Sequence, residues 1–339
     1  ELGRQAAHGS ARAQLTASRM FHMVGRPAAL LHPALLVAAI RGRLGHGGSP
    51  TARPTELDLL AMVCLAPSLL YVLVMFVYPF LYGIYVSLRP MKLDGFSLAN
   101  YIAFFTDEYQ YKTVGITFRL AVPNTLVVVA ASLLFAYNMR RGVWLERTIT
   151  TILVLPISLG VILLSQGILG FYGGKGWFNQ ILLGIGLLEE PLVLTHNFTG
   201  VMLSLFMQQF PFCFLMLLGY ISGIDPSIEN SARTLGANPW TVFRRVMLPL
   251  IAPGLAIAFA LVFVMSFATF PSAILLGQPT GATRTIAIAA YAQAFEQFDM
   301  PYASAIAVIM GLFQLGALLV IILLRKRMVT AATMGVGKR

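Results

Sequence analysis

Two groups of residues in this sequence have side chains that could act on another molecule. One is a polar segment with three arginines, residues 229–249 (ENSARTLGANPWTVFRRVMLP), which stands between two long apolar runs. The other is a set of uncharged polar residues inside the apolar runs themselves. Arginines beside apolar anchors suit the binding of a partner. Amide and hydroxyl groups in apolar surroundings suit hydrogen bonds to one another or to a polar solute.

No catalytic constellation accompanies these residues. All five histidines and every carboxylate lie outside the apolar runs, and the two cysteines, Cys64 and Cys213, lack the spacing of a metal site. The glycine-rich segment 170–176 superficially resembles a phosphate loop, but it lacks the spacing and the hydroxyl residue after Lys175. The sequence therefore predicts a chain that is not an enzyme, holds no metal or cofactor and does not itself hydrolyse ATP.

The composition indicates that membrane helices hold these two groups of residues in place. The chain is 58% hydrophobic and 11% charged, whereas a soluble domain carries about 25% charged residues. A membrane helix needs about 20 apolar residues. Six segments without a charge meet that length: 59–88, 120–139, 148–172, 198–224, 250–276 and 302–324. We expect an all-α integral membrane protein with six transmembrane helices and a cytoplasmic loop, 225–249, between the fourth and the fifth.

Lysine and arginine predict the orientation, because connections on the cytoplasmic side carry an excess of both. With both termini in the cytoplasm, that side receives 18 of these residues and the opposite side 5. The net charge of +11 thus follows from topology and predicts no nucleic-acid partner. The chain then divides into a basic, partly disordered N-terminal tail (1–58), a membrane domain (59–324) and a basic cytoplasmic C-terminal tail (325–339).

Within the loop, local signals predict two short helices joined at a corner. Asp225-Pro226 and Asn238-Pro239 each combine a capping side chain with a proline at the first helical position. Gly236 ends the first helix or admits another backbone, and Leu248-Pro249 turns the chain into the fifth span. The apolar faces comprise Ile228, Ala232 and Leu235, then Trp240, Phe243 and Met247. Such faces suit a groove on a partner, or else the lipid surface or the underside of the bundle.

The order of residues in this loop resembles the EAA loop of ABC importer permeases. The family motif reads Glu-Ala-Ala, three residues, Gly, nine residues and Ile-x-Leu-Pro. The matching positions are 230–232, Gly236 and 246–249. The chain departs from the motif at Asn230, Ser231 and Val246, which stand where the family has Glu, Ala and Ile.

Further segments narrow the resemblance. Leu155-Pro156, which opens the third span, and the segment 277–304 extend the likeness to the family. Within that segment, 281–286 and 299–304 are similar to the spermidine/putrescine permease branch. The resemblance covers residues 59–330 and implies a type I importer permease that alternates between outward and inward access. It implies import of a small organic solute, a polyamine or similar, across a bacterial inner membrane. A periplasmic binding protein would deliver the solute to the permease.

The resemblance also implies partners and roles for the loop. ATP and Mg would be bound by two ATP-binding partner subunits. A second permease, expected to be a paralogue, would complete the pathway in the lipid bilayer. The loop would act as the coupling helix that fits a cleft in the ATP-hydrolysing subunit. The coupling residues are Glu229, Asn230, Ser231, Ala232, Arg233, Leu235, Gly236, Pro239, Trp240, Phe243, Leu248 and Pro249.

Polar residues inside spans usually face the bundle interior or a cavity. The candidates are Asn124, Ser165, Gln166, Gln208, Gln209, Ser266, Thr269 and Gln314. Five are predicted to line the translocation pathway: Gln166, Gln208, Gln209, Ser266 and Thr269. The alternative for each is a hydrogen bond that holds helices together. No predicted span holds a carboxylate. A cationic solute would therefore be selected by the binding protein, or by Glu296 and Asp299 near the outer mouth of the pathway. The alternative for Glu296 and Asp299 is that they are solvated charges of a loop.

Two other functions stay open on sequence alone. A secondary transporter would work without an ATPase, but that class often has inverted repeats and buried ionisable residues, and the sequence displays neither. A scaffold protein would cause no uptake defect when deleted. Neighbouring genes for an ATPase and a binding protein would favour the importer.

Overall fold

The computed structural model describes residues 65–91, 95–140 and 146–336. The predicted N-terminal tail (1–58) lies outside these ranges. The chain divides into two units, Glu1–Leu73 and Val74–Arg339. The described part of the first unit is helical, and the packing described below is that of the second.

Every regular element in the described ranges is a helix, which confirms the predicted all-α class. In chain order they are α1 (Leu65–Ser87), α2 (Ala99–Thr106), α3 (Glu108–Met139), α4 (Glu146–Leu159), α5 (Val161–Tyr172), α6 (Trp177–Gly184), α7 (Phe198–Ser222), α8 (Pro226–Thr234), α9 (Pro239–Phe267), α10 (Pro271–Leu276), α11 (Ile286–Tyr291, continued by the π-helical stretch Ala292–Glu296) and α12 (Met300–Val336).

Five of these helices, α1, α3, α7, α9 and α12, are long and apolar enough to cross a membrane. A sixth span is added when the bent pair formed by α4 and the helical stretch Val161–Gly184 counts as one crossing. The described helices therefore agree with the six predicted spans in number, although the third span is not straight.

The centre of the bundle is α7, which packs against α3 and α9. Of its most apolar stretch, 56% is buried. Val128 of α3, Phe214 and Leu217 of α7 and Ile251 of α9 lie in one buried cluster between the three helices. By contrast, α1 and much of α12 present apolar side chains outward. Because such surface is unfavourable in water, lipid or another membrane chain must cover it.

Two of the predicted spans are broken in the structure; the sequence allows a long span to kink at internal prolines, Pro271 among them. The segment 148–172 bends by 106° at Gly160, whose φ of +73° is a left-handed conformation that favours glycine. The segment 250–276 stops at Phe267, and a separate helix starts at Pro271. Proline disfavours the helical conformation of the residue before it, and Phe270 is indeed non-helical, with φ −131° and ψ −60°.

Other helices extend beyond the predicted apolar runs. The second span begins at Glu108 rather than 120, because its outer turns are polar yet still helical. The fifth begins at Pro239, within the predicted loop, rather than at 250. The last continues past 324 to Val336. The length of an apolar run therefore predicts the part of a helix that crosses lipid. It does not predict where the whole helix begins and ends.

Candidate functional site

The segment 225–249, called the elbow below, begins with a well-capped helix. The Asp225 side chain accepts a hydrogen bond from the Ser227 backbone N–H at 2.8 Å, and Pro226 occupies the first helical position. Hydrogen bonding from the Ser227 backbone and then from its side chain holds the pKa of Asp225 below its usual value. The predicted start of α8 is therefore confirmed, and its cause is local capping.

The corner of the elbow is a Schellman turn centred on Gly236. The Gly236 N–H donates to the Arg233 carbonyl at 2.9 Å, and the Ala237 N–H donates to the Ala232 carbonyl at 3.2 Å. This pair of bonds requires a left-handed residue after the helix, and Gly236 has φ +83°. Of the two roles that the sequence left open for Gly236, the structure confirms helix termination.

The second arm of the elbow is the beginning of α9. Asn238 caps it by accepting from the Thr241 N–H at 2.7 Å, and Pro239 follows as predicted. The helix then runs through a π-helical stretch, Phe243–Met247, directly into Leu248–Phe267. The predicted turn at Leu248-Pro249 is therefore wrong: the helix continues through Pro249, and the π-helical stretch directly before it is a local adjustment that accommodates a residue without an N–H to donate. The arm and the membrane span form one continuous rod.

The elbow has a buried side and an exposed side. Val242 and Met247 are fully buried in the bundle's core, and Phe243 packs edge-on against Tyr137 of α3, with ring centroids 4.9 Å apart. On the other side, Leu235 is 89% exposed and Trp240 is 67% exposed. Of the predicted coupling residues, Leu235 and Trp240 therefore point outward on either side of the Gly236 corner, whereas Phe243 fixes the arm to the bundle.

A buried ion-pair cluster attaches α8 to the end of α3. The Glu229 carboxylate pairs with the guanidinium of Arg140 and with that of Arg233, the latter at 2.5 Å. The side chains of Glu229 and Arg140 are only 10% and 8% exposed. The Tyr137 hydroxyl lies 3.5 Å from the same carboxylate, and its ring lies 4.6 Å below the Arg140 guanidinium. We refer to Arg140, Glu229 and Arg233 as the ion-pair cluster.

A polar cavity of about 430 Å³ opens beside this cluster. Its walls include Ser222 at the end of α7 and Asn230, Arg233 and Pro226 of α8. Asn230, which occupies the glutamate position of the motif, is exposed, whereas its neighbour Glu229 points into the protein. The exposed edge of α8 is therefore uncharged at the motif position and basic at Arg233.

In the middle of the bundle, three polar side chains form a triad that joins α3, α7 and α9. The Asn124 amide donates to the Gln209 carbonyl oxygen at 2.8 Å and to the Ser266 hydroxyl at 2.9 Å. The Ser266 hydroxyl also lies within hydrogen-bond distance, 2.8 Å, of the Gln209 oxygen. No residue of the triad is more than 1% exposed. This geometry fits helix association better than contact with a passing solute.

The other predicted pathway residues lie in different surroundings. Thr269 is buried at the break between α9 and α10, where its carbonyl accepts from the Thr285 hydroxyl at 3.1 Å. Gln208 is half-buried on α7. Gln166 is exposed beside the Gly160 bend and lines a cavity of about 520 Å³ with Pro271. The five residues thus do not form one lining; the structure brings only Gln209 and Ser266 into contact.

Sequence reasoning did not single out Arg140. Its only signal was membership of a basic run at the end of the second span, which indicates orientation and not pairing. Arg284 was noted only within the segment 281–286. In the structure it is buried, with its guanidinium 3.9 Å from the centre of the Tyr109 ring and donating to the Tyr109 carbonyl at 3.3 Å. This contact ties the segment before α11 to the start of α3.

Among the residues that the structure describes, no three His, Cys, Asp or Glu side chains come together as a metal site would require. What the described fold presents is a bundle of membrane-crossing helices, two of them broken, with a helical elbow that offers apolar anchors outward. These features define a polytopic membrane protein with a helical elbow outside its apolar spans.

Comparison with known proteins names the family. Residues 124–330, more than half of the chain, match the family described as binding-protein-dependent transport system inner membrane component. The chain belongs to this family and is the permease of a binding-protein-dependent ABC importer. Its broken helices and outward-facing apolar helices are therefore features of a membrane-embedded permease.

The relatives of this chain include permeases for different solutes. The chain is 28% identical over 285 residues to an inner membrane ABC transporter permease protein of Escherichia coli, covering 79% of this chain and 93% of that one. It is 28% identical over 210 residues to a probable sulfate permease protein of Chlorella vulgaris, covering 62% and 76%. It is 33% identical over 126 residues to the spermidine/putrescine permease protein of Haemophilus influenzae, covering 37% and 44%.

The fold also matches a solved structure. It aligns with a chain of a bacterial ABC transporter involved in the import of the acidic polysaccharide alginate, with a TM-score of 0.67 and 20% identity. The alignment covers 80% of this chain and 96% of that one. At this identity the likeness shows a shared fold, of the type I importer permease, and carries no information on the solute.

Proposed function

We propose that the elbow couples this permease to an ATP-binding subunit and that the chain itself contributes to the path of the solute. The observation that carries the proposal is the two-sided elbow. Leu235 and Trp240 are exposed apolar anchors beside a rigid corner, while Val242 and Met247 lock the same segment into the bundle. An exposed aromatic anchor next to a fixed attachment is what a docking element that transmits movement needs.

The proposed assembly places the elbow and both termini in the cytoplasm of a bacterium. Two ATP-binding subunits, each with ATP and Mg, would dock on the elbows of two permeases, of which this chain is one and a paralogue the other. A periplasmic binding protein would deliver the solute on the opposite side. The exposed apolar surface of α1 and α12 would be covered by lipid and by the second permease.

For the solute we propose a small organic molecule of the polyamine type. Support comes from the 33% identity to a spermidine/putrescine permease over 126 residues. Because the described membrane interior offers amides and hydroxyls rather than carboxylates, selection of a cation would fall to the binding protein. Other relatives are named for sulfate and for starch degradation products. An experiment must therefore distinguish a polyamine from these two solutes.

The test is uptake into proteoliposomes that contain this chain, its second permease, the ATP-binding subunits and the binding protein. We expect ATP-dependent uptake of labelled putrescine or spermidine, and none when the ATP-binding subunits are left out. Uptake driven by an ion gradient without those subunits would instead establish a secondary transporter. ATP-dependent uptake of sulfate or maltodextrin alone would keep the importer and reject the polyamine.

The exposed position of Asn230 yields a prediction about the motif. Asn230→Glu restores the residue that the family motif carries, on the exposed edge of α8 and one turn before the helix end. We expect co-purification of the ATP-binding subunits and uptake to stay within about twofold of wild type, since a surface substitution usually changes stability by under about 0.5 kcal/mol. Complete loss of coupling would mean that the motif is aligned in the wrong register. Asn230→Lys serves as the opposite-charge comparison.

A further inference from the structure

We propose that the ion-pair cluster of Arg140, Glu229 and Arg233 positions the elbow, so that movement of α8 is passed to α3 as well as along the chain to α7 and α9. This inference rests on the proposed coupling function of the elbow. It assigns a role to Arg140, a residue that lies outside the coupling motif and at the end of a different helix.

The burial of the cluster makes it a firm attachment. The side chains of Arg140 and Glu229 are about nine-tenths buried. Charges in such surroundings are costly when separated, because each would lose water without gaining its partner. The contact between α8 and α3 therefore persists while the elbow moves, unlike an exposed ion pair, which exchanges readily with water.

The same arginine also reaches the second arm of the elbow. An Arg140 terminal nitrogen lies 3.8 Å from the Met247 sulfur, and its guanidinium covers the Tyr137 ring that packs on Phe243. The last turn of α3 thus contacts α8 through Glu229 and α9 through Met247 and Phe243. One side chain fixes both arms of the elbow relative to each other and to α3.

Without this attachment α8 would be held by the short connections at its ends and by the packing of Ala232 on the buried core cluster. The turn of residues 223–225 precedes it, and the Gly236 corner follows it. A helix of nine residues held in this way could move together with the Gly236 corner without displacing α3. The cluster removes that freedom, and α3 then carries the displacement into the bundle, where Asn124 joins α3 to α7 and α9.

The cluster also gives the carboxylate beside the motif position a partner within the permease. Asn230 stands exposed at the position of the motif glutamate, and the adjacent carboxylate of Glu229 is directed inward to Arg140. In this chain the carboxylate therefore acts within the permease. A partner that docks on the elbow meets an amide at 230 and the half-exposed Arg233.

The experiment uses the whole complex in proteoliposomes and measures the solute imported per ATP hydrolysed. The variants are Arg140→Gln, Arg140→Lys, Glu229→Gln and the charge-exchanged double variant Arg140→Glu with Glu229→Arg. The matched control is Glu108→Gln, which removes an exposed pair with Lys112 at 2.6 Å, four residues away on α3. Co-purification of the ATP-binding subunits is measured in parallel for every variant.

We expect Arg140→Gln and Glu229→Gln to retain the ATP-binding subunits but to import about tenfold less solute per ATP, a typical size for a lost coupling between sites. Arg140→Lys keeps the charge and should recover part of the yield, as should the charge exchange. Glu108→Gln should match wild type. If Arg140→Gln does not accumulate in the membrane, the inference is tested with Arg140→Lys and with the charge-exchanged double variant.

Two results would overturn the inference. One is a wild-type yield per ATP in the Arg140 and Glu229 variants; the other is additive losses in the double variant, which would mean that the two residues act separately. A wild-type chain that never associates with ATP-binding subunits is a different result, because it rejects the proposed function itself rather than the cluster.

Discussion

Trp240→Asp is expected to abolish solute uptake and to weaken retention of the ATP-binding subunits strongly, while the chain still inserts and folds. Trp240 is the second residue of α9 and is 67% exposed. An aspartate in the first turn of a helix interacts favourably with the helix dipole, so the arm should persist. What is lost is the aromatic anchor, and removal of such an anchor from an interface costs about 2–4 kcal/mol. Co-purification and uptake measure both effects.

The chain provides a close control for this substitution. Trp177 is the first residue of α6 and is 72% exposed, so Trp177→Asp makes the same change at the start of another helix, far from the elbow in sequence. It should retain the ATP-binding subunits. Equal loss of association in both variants, or wild-type association in Trp240→Asp, would contradict the assignment of the elbow as the docking element.

A second variant tests the corner itself. Gly236→Pro removes the N–H that donates to the Arg233 carbonyl and imposes a negative φ where the native value is +83°. The Schellman turn cannot form, and the two arms lose their fixed angle although both exposed anchors remain. We therefore expect uptake to fall with this variant even if weak association with the ATP-binding subunits survives.

The elbow also illustrates which features a sequence reveals. Its helix starts were predictable because capping is local: Asp225 and Asn238 bond to backbone two and three residues away. Gly236 was predictable as a helix end for the same reason. The pairing of Glu229 with Arg140 was not, because nothing in either neighbourhood indicates which distant side chain a charge will meet. Local signals predicted the shape of the site, and long-range contacts determine how it is attached.

In the membrane helices, too, local features could be predicted from the sequence and long-range contacts could not. Composition predicted the number of spans, since an apolar run of sufficient length has few alternatives. It did not predict the bend at Gly160. Internal prolines, Pro271 among them, indicated only where a long span could kink, because glycine and proline are tolerated inside membrane helices when neighbours satisfy the freed backbone groups. At the second break, the Thr269 carbonyl accepts from Thr285, and the Val264 carbonyl accepts from Gln314 at 3.0 Å. These partners come from other helices or loops and are visible only in the folded chain.

Substitution in the buried triad is expected to lower the stability of the permease. Gln209→Leu should destabilise the permease by about 1–2 kcal/mol, because it leaves the Asn124 amide with Ser266 as its remaining triad partner in a dry interior. The loss should appear as a lower apparent melting temperature of the detergent-solubilised protein. Gln208→Leu makes the same change at the neighbouring half-buried residue and should leave the melting temperature close to wild type.

The triad variants also decide between the two roles that the sequence left open for Gln209 and Ser266. If the triad holds helices together, the apparent affinity for the solute is unchanged in the destabilised variants. Replacing all three residues, as Asn124→Leu, Gln209→Leu and Ser266→Ala, should then restore part of the lost stability, because no buried polar group remains without a partner. If instead these side chains contact the solute, the single and triple variants will lower its affinity progressively while the melting temperature changes little. Their burial, at most 1% exposed in each case, makes the first outcome the expected one.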